Sequence, residues 1–226
     1  MKNKRITIVC GHYGSGKTTF SINYALYLRN QTNRDIYIAD LDVVNPYFRS
    51  REHFDFLKDK NIKVIGSYLP QSGADLPAVS AEVYTLFENK EIIGIVDMGG
   101  NSVGSLSFAT FRDNVNIEET DIIFVLNVNR KENSTLDYAL GHFNNIEATL
   151  GLKITSIVNN THLMNETSLD DINKGESIAG ELSKEKNIPV KFTCVDMDFF
   201  DNNSNIKTKY DLFIIGYDIK RAVNII

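Results

Sequence analysis

A three-layer α/β/α fold, with a mostly parallel central sheet of seven to eight strands, is what this 226-residue chain predicts. Short apolar runs alternate with segments of helical pattern, the order of linked β-α-β units. Several runs are unbroken Val, Ile and Leu stretches, as in strands covered on both faces. The chain is long enough for a well-buried core, and no shift in composition divides it. One domain over residues 1–226 is therefore expected.

Taken in order, the predicted strands are 5–10 (RITIVC), 35–40 (DIYIAD), 62–66 (IKVIG), 92–97 (IIGIVD), 121–128 (DIIFVLNV), 153–159 (KITSIVN), 189–194 (PVKFTC) and 210–216 (YDLFIIG). A helix is expected over 17–30, where Phe20, Tyr24, Tyr27 and Leu28 fall on one face. Residues 77–88 open on Pro77, which suits a first helical turn, and 134–150 and 175–186 complete the helices. The polar stretches 160–175 and 198–209 read as surface loops.

The first strand runs into GHYGSGKTT, which fits the Walker A pattern as Gly11-x4-Gly16-Lys17-Thr18. Glycines let backbone N–H groups turn inward around phosphate oxygens, and the following helix adds its positive N-terminal end. Gly11, His12, Tyr13, Gly14, Ser15, Gly16, Lys17, Thr18 and Thr19 are thus the candidate nucleotide-binding residues. Lys17 would place its charge at the β- and γ-phosphates, and Thr18 would offer a hydroxyl to Mg²⁺. The bland alternative, a glycine-rich turn, fits poorly with this strand–loop–helix context. The motif and the alternating pattern together define a P-loop NTPase as the expected fold.

Two further strands end in acid. One closes on Asp40-Leu41-Asp42 and another on Asp97-Met98-Gly99-Gly100. Parallel strands bring their C-terminal ends to one edge, so both can lie beside the phosphate loop. Asp97 is placed to reach Mg²⁺ through water, and Gly100 permits a backbone N–H to approach a γ-phosphate. A strand-end turn is the plainer reading of Asp97.

GHYGSGKTT, DLDVVNP and DMGG, in this order, resemble the ParA/MinD/Mrp group of P-loop ATPases, the CobQ/CobB/MinD/ParA nucleotide-binding proteins of the SIMIBI class. The resemblance implies that Asp42 positions the attacking water, that Asp97 is the Mg²⁺-linked carboxylate and that Asn159 contacts adenine. Lys17 and Asp42 are then the catalytic candidates. ATP is expected over GTP, because VNNTHL (158–163) carries no Asp in the register of a guanine-reading N-K-x-D motif. His12 stands where many members carry a signature lysine that reaches a partner's phosphates across a nucleotide-dependent homodimer. Histidine is shorter and has no permanent charge, which puts hydrolysis by that route in doubt.

The function so implied is a Mg²⁺-dependent ATP-binding protein, a slow ATPase acting as a switch for an unidentified protein partner. Two alternatives stay open: a small-molecule kinase or ATP-dependent ligase of the same class, and a module that binds ATP without hydrolysis. Scattered basic residues (Arg49, Arg51, Arg112, Arg130, Lys131) are the candidates for an acceptor site.

Composition narrows the field. A net charge of −5 gives no global basic field, so direct DNA binding is not expected, although a local patch remains open. Cys10 and Cys194 form no CxxC pair, which argues against a cluster scaffold and for a reducing, cytoplasmic setting. The histidines at 12, 53, 142 and 162 lack metal-ligand spacing, so Mg²⁺ is the metal expected. No stretch approaches the ~20 apolar residues of a membrane span. The C-terminal DIKRAVNII is a short amphipathic helix candidate, read as docked on the body rather than inserted in a membrane. Segment 45–52 reads as a solvated loop face and 68–80 as a partner-sensing loop.

Overall fold

The computed structural model describes residues 3–41, 51–66, 82–100, 108, 110–203 and 205–216. Its strands are β1 (Ile6–Cys10), β2 (Ile36–Asp40), β3 (Ile62–Gly66), β4 (Ile93–Asp97), β5 (Thr120–Leu126), β6 (Ser156–Asn159), β7 (Val190–Asp196) and β8 (Leu212–Ile215). The α-helices are α1 (Lys17–Arg29), α2 (Arg51–Asp59), α3 (Glu82–Glu88), α4 (Leu136–Leu150), α5 (Leu169–Lys186) and α6 (Met197–Asn202). The strands form one sheet in the order β3-β2-β4-β1-β5-β6-β7-β8, and every adjacent pair is parallel.

All eight predicted strands are present. Their continuous apolar character has a simple cause: the sheet separates two hydrophobic cores. On one side Val9, Ile38, Ile95 and Val125 pack with Phe20, Tyr24 and Leu28 of α1 and Leu57 of α2. On the other, Ile8, Val96 and Phe124 pack with Leu86 of α3, Phe143 of α4 and Leu182 of α5. Neighbouring residues of one strand thus enter different cores, and neither face tolerates a polar alternation. Full burial of a side chain such as Phe20 contributes about 1.5–3 kcal/mol.

The boundaries differ where side chains replace ladder bonds. The predicted 153–159 strand shortens to Ser156–Asn159. Ahead of it, Glu147 accepts from the Ile154 N–H (3.0 Å), and Thr155 Oγ1 accepts from the Ile122 N–H (2.9 Å). Helix α5 begins at Leu169, six residues before the predicted 175. Ser168 and Asp171 form a capping box there, each accepting from the other's backbone N–H. The stretch expected to be loop at 198–209 opens with α6, capped by Asp196, and α2 occupies residues where no helix is expected. Residues 77–81 of the helix predicted over 77–88 lie outside the described residues; the remainder, Glu82–Glu88, is helical.

This topology places the site. From β1 the chain crosses to β2 and β3 on one side, returns to β4 beside β1, and then enters β5 on β1's other flank. Connections leave β1 and its neighbours in opposite directions at that point, opening a crevice at the C-terminal strand ends.

Candidate functional site

Residues 11–16 join β1 to α1 in that crevice. Gly16 adopts φ +83°, and an added methyl would lie 2.3 Å from Asn160 Nδ2, so no larger residue fits. Asn160, at the end of β6, donates to the Ser15 carbonyl at 2.8 Å, and Arg130 Nε donates to the Gly14 carbonyl at 2.9 Å. The loop's outer carbonyls are therefore held from β6 and from the segment after β5. The Ser15 N–H closes the turn onto the His12 carbonyl at 3.1 Å.

Lys17, buried at the first position of α1, donates to the His12 carbonyl at 3.1 Å. At the next residue, Thr18 Oγ1 donates to Asp97 Oδ2 at 2.6 Å, and one turn on Ser21 Oγ donates to Asp97 Oδ1 at 3.3 Å. Asp97 is wholly buried at the end of β4, in register with Val9 of β1 and Asp40 of β2. The sheet thus delivers a carboxylate to the face of α1 that carries the Walker threonine. Ser21 was not among the sequence candidates, although its i, i+3 spacing from Thr18 marks it as sharing that face.

Gly100 completes the enclosure. A methyl added there would sit 2.7 Å from Lys17 Nζ and 2.7 Å from both the N and the Cα of Tyr13. The turn after β4 therefore lies directly against the phosphate loop. Tyr13 itself is exposed, and the Ser15 hydroxyl is buried without a hydrogen-bond partner among the described residues. Positive-φ glycines, a buried lysine and a hydroxyl–carboxylate pair at a helix start are a donor set that fits a phosphate chain with its Mg²⁺.

His12 faces the other way. Its Nδ1 lies 2.7 Å from the Tyr13 carbonyl, which can only accept, so Nδ1 carries the proton. Its Nε2 is 3.6 Å from Glu132 Oε2, and its ring meets His142 edge-on at 5.1 Å. Burial pushes His142 down to about 4, aided by neighbouring His12 and Lys17. His162, close to Gly16, is likewise pushed down to about 4, by burial and then by Arg130. Burial also pushes the Cys10 thiol up to about 12, so it is not a nucleophile at neutral pH.

Asn159 is turned inward. Its Nδ2 donates to the Ile172 carbonyl at 3.3 Å, and its Oδ1 accepts from Thr161 Oγ1 at 2.7 Å. The side chain is buried, and it is Asn160 that reaches the phosphate loop. Asp42, segments 45–50 and 68–80, and the C-terminal 217–226 lie outside the described residues. Thr19 follows Thr18 in the first turn of α1, and its carbonyl accepts from Asn23 Nδ2 at 2.8 Å.

No protein-family model matches the chain, and no curated protein matches it. Solved structures do. The cell division protein FtsY of Thermotoga maritima superposes with a TM-score of 0.57 at 18% identity, over 84% of this chain and 61% of that one. The signal recognition particle receptor FtsY of Elizabethkingia anophelis, in complex with GDP, gives a TM-score of 0.55 at 14% identity, over 86% and 58%. The signal recognition particle 54 kDa protein of Aeropyrum pernix K1, also in complex with GDP, gives 0.54 at 16% identity, over 85% and 41%. The fold is the α/β P-loop NTPase fold of these structures, with helices about one parallel sheet. This chain spans less than two thirds of each of those three proteins, and at such identities the likeness is one of fold. It agrees with the fold expected from the motifs and does not single out the ParA/MinD branch. Among the described residues, no helix is long and apolar enough to cross a membrane.

Proposed function

We propose that the chain is a Mg²⁺-dependent nucleoside triphosphate switch that hydrolyses slowly and signals to a protein partner. The observation that carries this reading is the buried Asp97 bonded to Thr18 at the start of α1, the residue next to Lys17. Bound Mg²⁺ would neutralise phosphate charge there, with Thr18 supplying its hydroxyl and Asp97 orienting a water. Lys17 would leave the His12 carbonyl for phosphate, and Gly100 would approach the γ-phosphate. A switch needs contacts that differ between triphosphate and diphosphate, and Gly100 stands where they would differ. Asp42 is assigned the water-positioning role in hydrolysis.

ATP is the proposed nucleotide. The GDP held by two of the similar structures supplies the competing expectation. Guanine recognition uses a carboxylate to accept from the base, whereas residues 159–162 are Asn, Asn, Thr and His. A nucleotide-dependent homodimer within the cytoplasm is proposed, with His12 in the position of the signature lysine of the ParA/MinD/Mrp group.

The test is analogue binding and turnover in wild type, Lys17→Ala and Asp42→Ala, with light scattering to weigh the complexes. Binding lost in Lys17→Ala, and binding kept with turnover lost in Asp42→Ala, is the expected pattern. Unchanged turnover in Asp42→Ala removes its assigned role, and a tenfold preference for GTP reverses the base assignment. No turnover at all in wild type favours the non-hydrolysing module. One observation favours a second reading, a small-molecule transferase: a cavity of about 320 Å³ adjoins the phosphate loop at His12 and Gly100.

A further inference from the structure

That cavity lies on the side of the loop away from α1. Its walls come from the start of the phosphate loop, from Met98 to Gly100 after β4, from Glu132, and from one face of α4. Its volume falls in the range of small-ligand sites. The floor is apolar, with Met98 fully buried and Ile146 nearly so, while His12, His142 and Glu132 line the wall.

Charge selects the occupant. Among the described residues lining the cavity there is no lysine or arginine, and Glu132 contributes an acid; the Lys17 ammonium behind Gly100 is engaged by the triphosphate on the proposed reading, so an anion finds no free counter-charge once nucleotide is bound. His142 selects it further. Its Nε2 is buried and has no hydrogen-bond partner among the described residues, an unusual state for an imidazole nitrogen and one a ligand would relieve. Burial keeps this ring neutral at pH 7, so Nε2 is a donor in one tautomer and an acceptor in the other. A hydroxyl can answer either, and a protonated amine, which only donates, answers the accepting tautomer.

We infer that the cavity is a binding site for a compact molecule that bears hydroxyl or amine groups and no net negative charge, seated against His142 and next to the γ-phosphate position. The inference rests on the nucleotide reading for its second half. Gly100 belongs both to the cavity wall and to the contact with Lys17 and Tyr13, so an occupant touches the segment that meets the triphosphate. Binding at the two sites is therefore coupled and, by linkage, reciprocal.

The test uses saturation-transfer NMR on the full chain, loaded with Mg²⁺ and a non-hydrolysable triphosphate analogue. The probes are erythritol, serinol and ethanolamine, with lactate and malonate as anionic controls. Thr149→Trp, at an exposed position on the rim, blocks the cavity while leaving the phosphate loop intact, and its analogue affinity serves as the folding control. His142→Phe removes the hydrogen-bonding nitrogen. The expected result is a signal from at least one hydroxyl or amine probe, lost in Thr149→Trp, weakened at least tenfold in His142→Phe, and accompanied by a fivefold or greater change in analogue affinity. Transfer of phosphate to the probe when a hydrolysable nucleotide is used also supports occupancy of this site. Silence from all uncharged and cationic probes, signals that survive in Thr149→Trp, or equal binding of the carboxylates overturns the inference. If the analogue itself fails to bind wild type, the nucleotide reading falls instead. The cavity is then judged on the free protein by the same comparison of wild type and Thr149→Trp.

Discussion

Adding one methyl group at Gly100 should separate the triphosphate from the loop that holds it. In Gly100→Ala the new carbon would lie 2.7 Å from the Tyr13 backbone N and Cα, against 3.4 Å for ordinary contact. Lys17 Nζ, also at 2.7 Å, can swing aside because it ends a long side chain, but the Tyr13 backbone cannot. The loop and the β4 turn must part by about 0.7 Å, which takes an N–H···O bond of ~2.9 Å out of hydrogen-bonding range. Loss of one bond to a charged oxygen costs about 1.5–3 kcal/mol, or roughly ten- to a hundredfold in affinity. Gly141→Ala is the matched control: no atom lies within 4 Å of its added methyl, on the exposed side of α4. It should leave nucleotide binding unchanged and raise stability by about 0.5–1 kcal/mol. Fluorescent triphosphate and diphosphate analogues, titrated with Mg²⁺, provide the assay, and urea unfolding checks the fold. The triphosphate should suffer most, since Gly100 meets the loop at the Lys17 ammonium. Wild-type affinity for the triphosphate, within threefold, in a folded Gly100→Ala protein would refute the assigned contact.

Other perturbations act on separate parts of the molecule. Asp97→Asn should abolish the gain in analogue affinity on adding Mg²⁺ while leaving Mg²⁺-free binding within a fewfold of wild type; a gain that persists argues against the carboxylate's role. Lys191 donates to Asp121 (2.9 Å) and Tyr24 (3.2 Å) with its side chain only 10% exposed, so Lys191→Met leaves the largely buried Asp121 carboxylate with the Thr155 hydroxyl but without its counter-charge. The expected loss is about 3–5 kcal/mol by urea unfolding, and a loss under 1 kcal/mol would mean that water already screens the pair. His142 and His162 titrate near 4 in the fold against 6.5 unfolded, so the unfolded chain binds more protons between those values. Their stabilising contribution is complete above pH 6.5 and is lost as the pH falls toward 4. Urea midpoints should drop across that window, and less so in His142→Gln; an identical drop in the variant removes His142 from the account.

Much of the site was legible because its chemistry is local. A glycine-rich loop between a strand and a helix needs only a dozen consecutive residues, and Asp97 announces itself as an acid closing an apolar run. Asn160 and Arg130 were harder to see. Both hold loop carbonyls, but each lies over a hundred residues away along the chain, and its type is common in turns. Ser21 was visible in principle, through its spacing from Thr18. The early start of α5 was hidden because its opening residues, Leu169 to Lys174, bury one apolar side chain, Ile172, among Asp170, Asp171, Asn173 and Lys174.

The sequence by itself determined the alternation of strands and helices, the burial of both sheet faces and the phosphate-loop chemistry, since each depends on neighbouring residues and a short period. Only the tertiary structure decided which strand ends meet. It turned Asn159 inward and Asn160 toward the loop, brought Gly100 against Tyr13, and set His12 beside Glu132 and His142 rather than over the phosphate position. These outcomes follow from strand order and register, which distant pairing energies select together and no short stretch of residues contains.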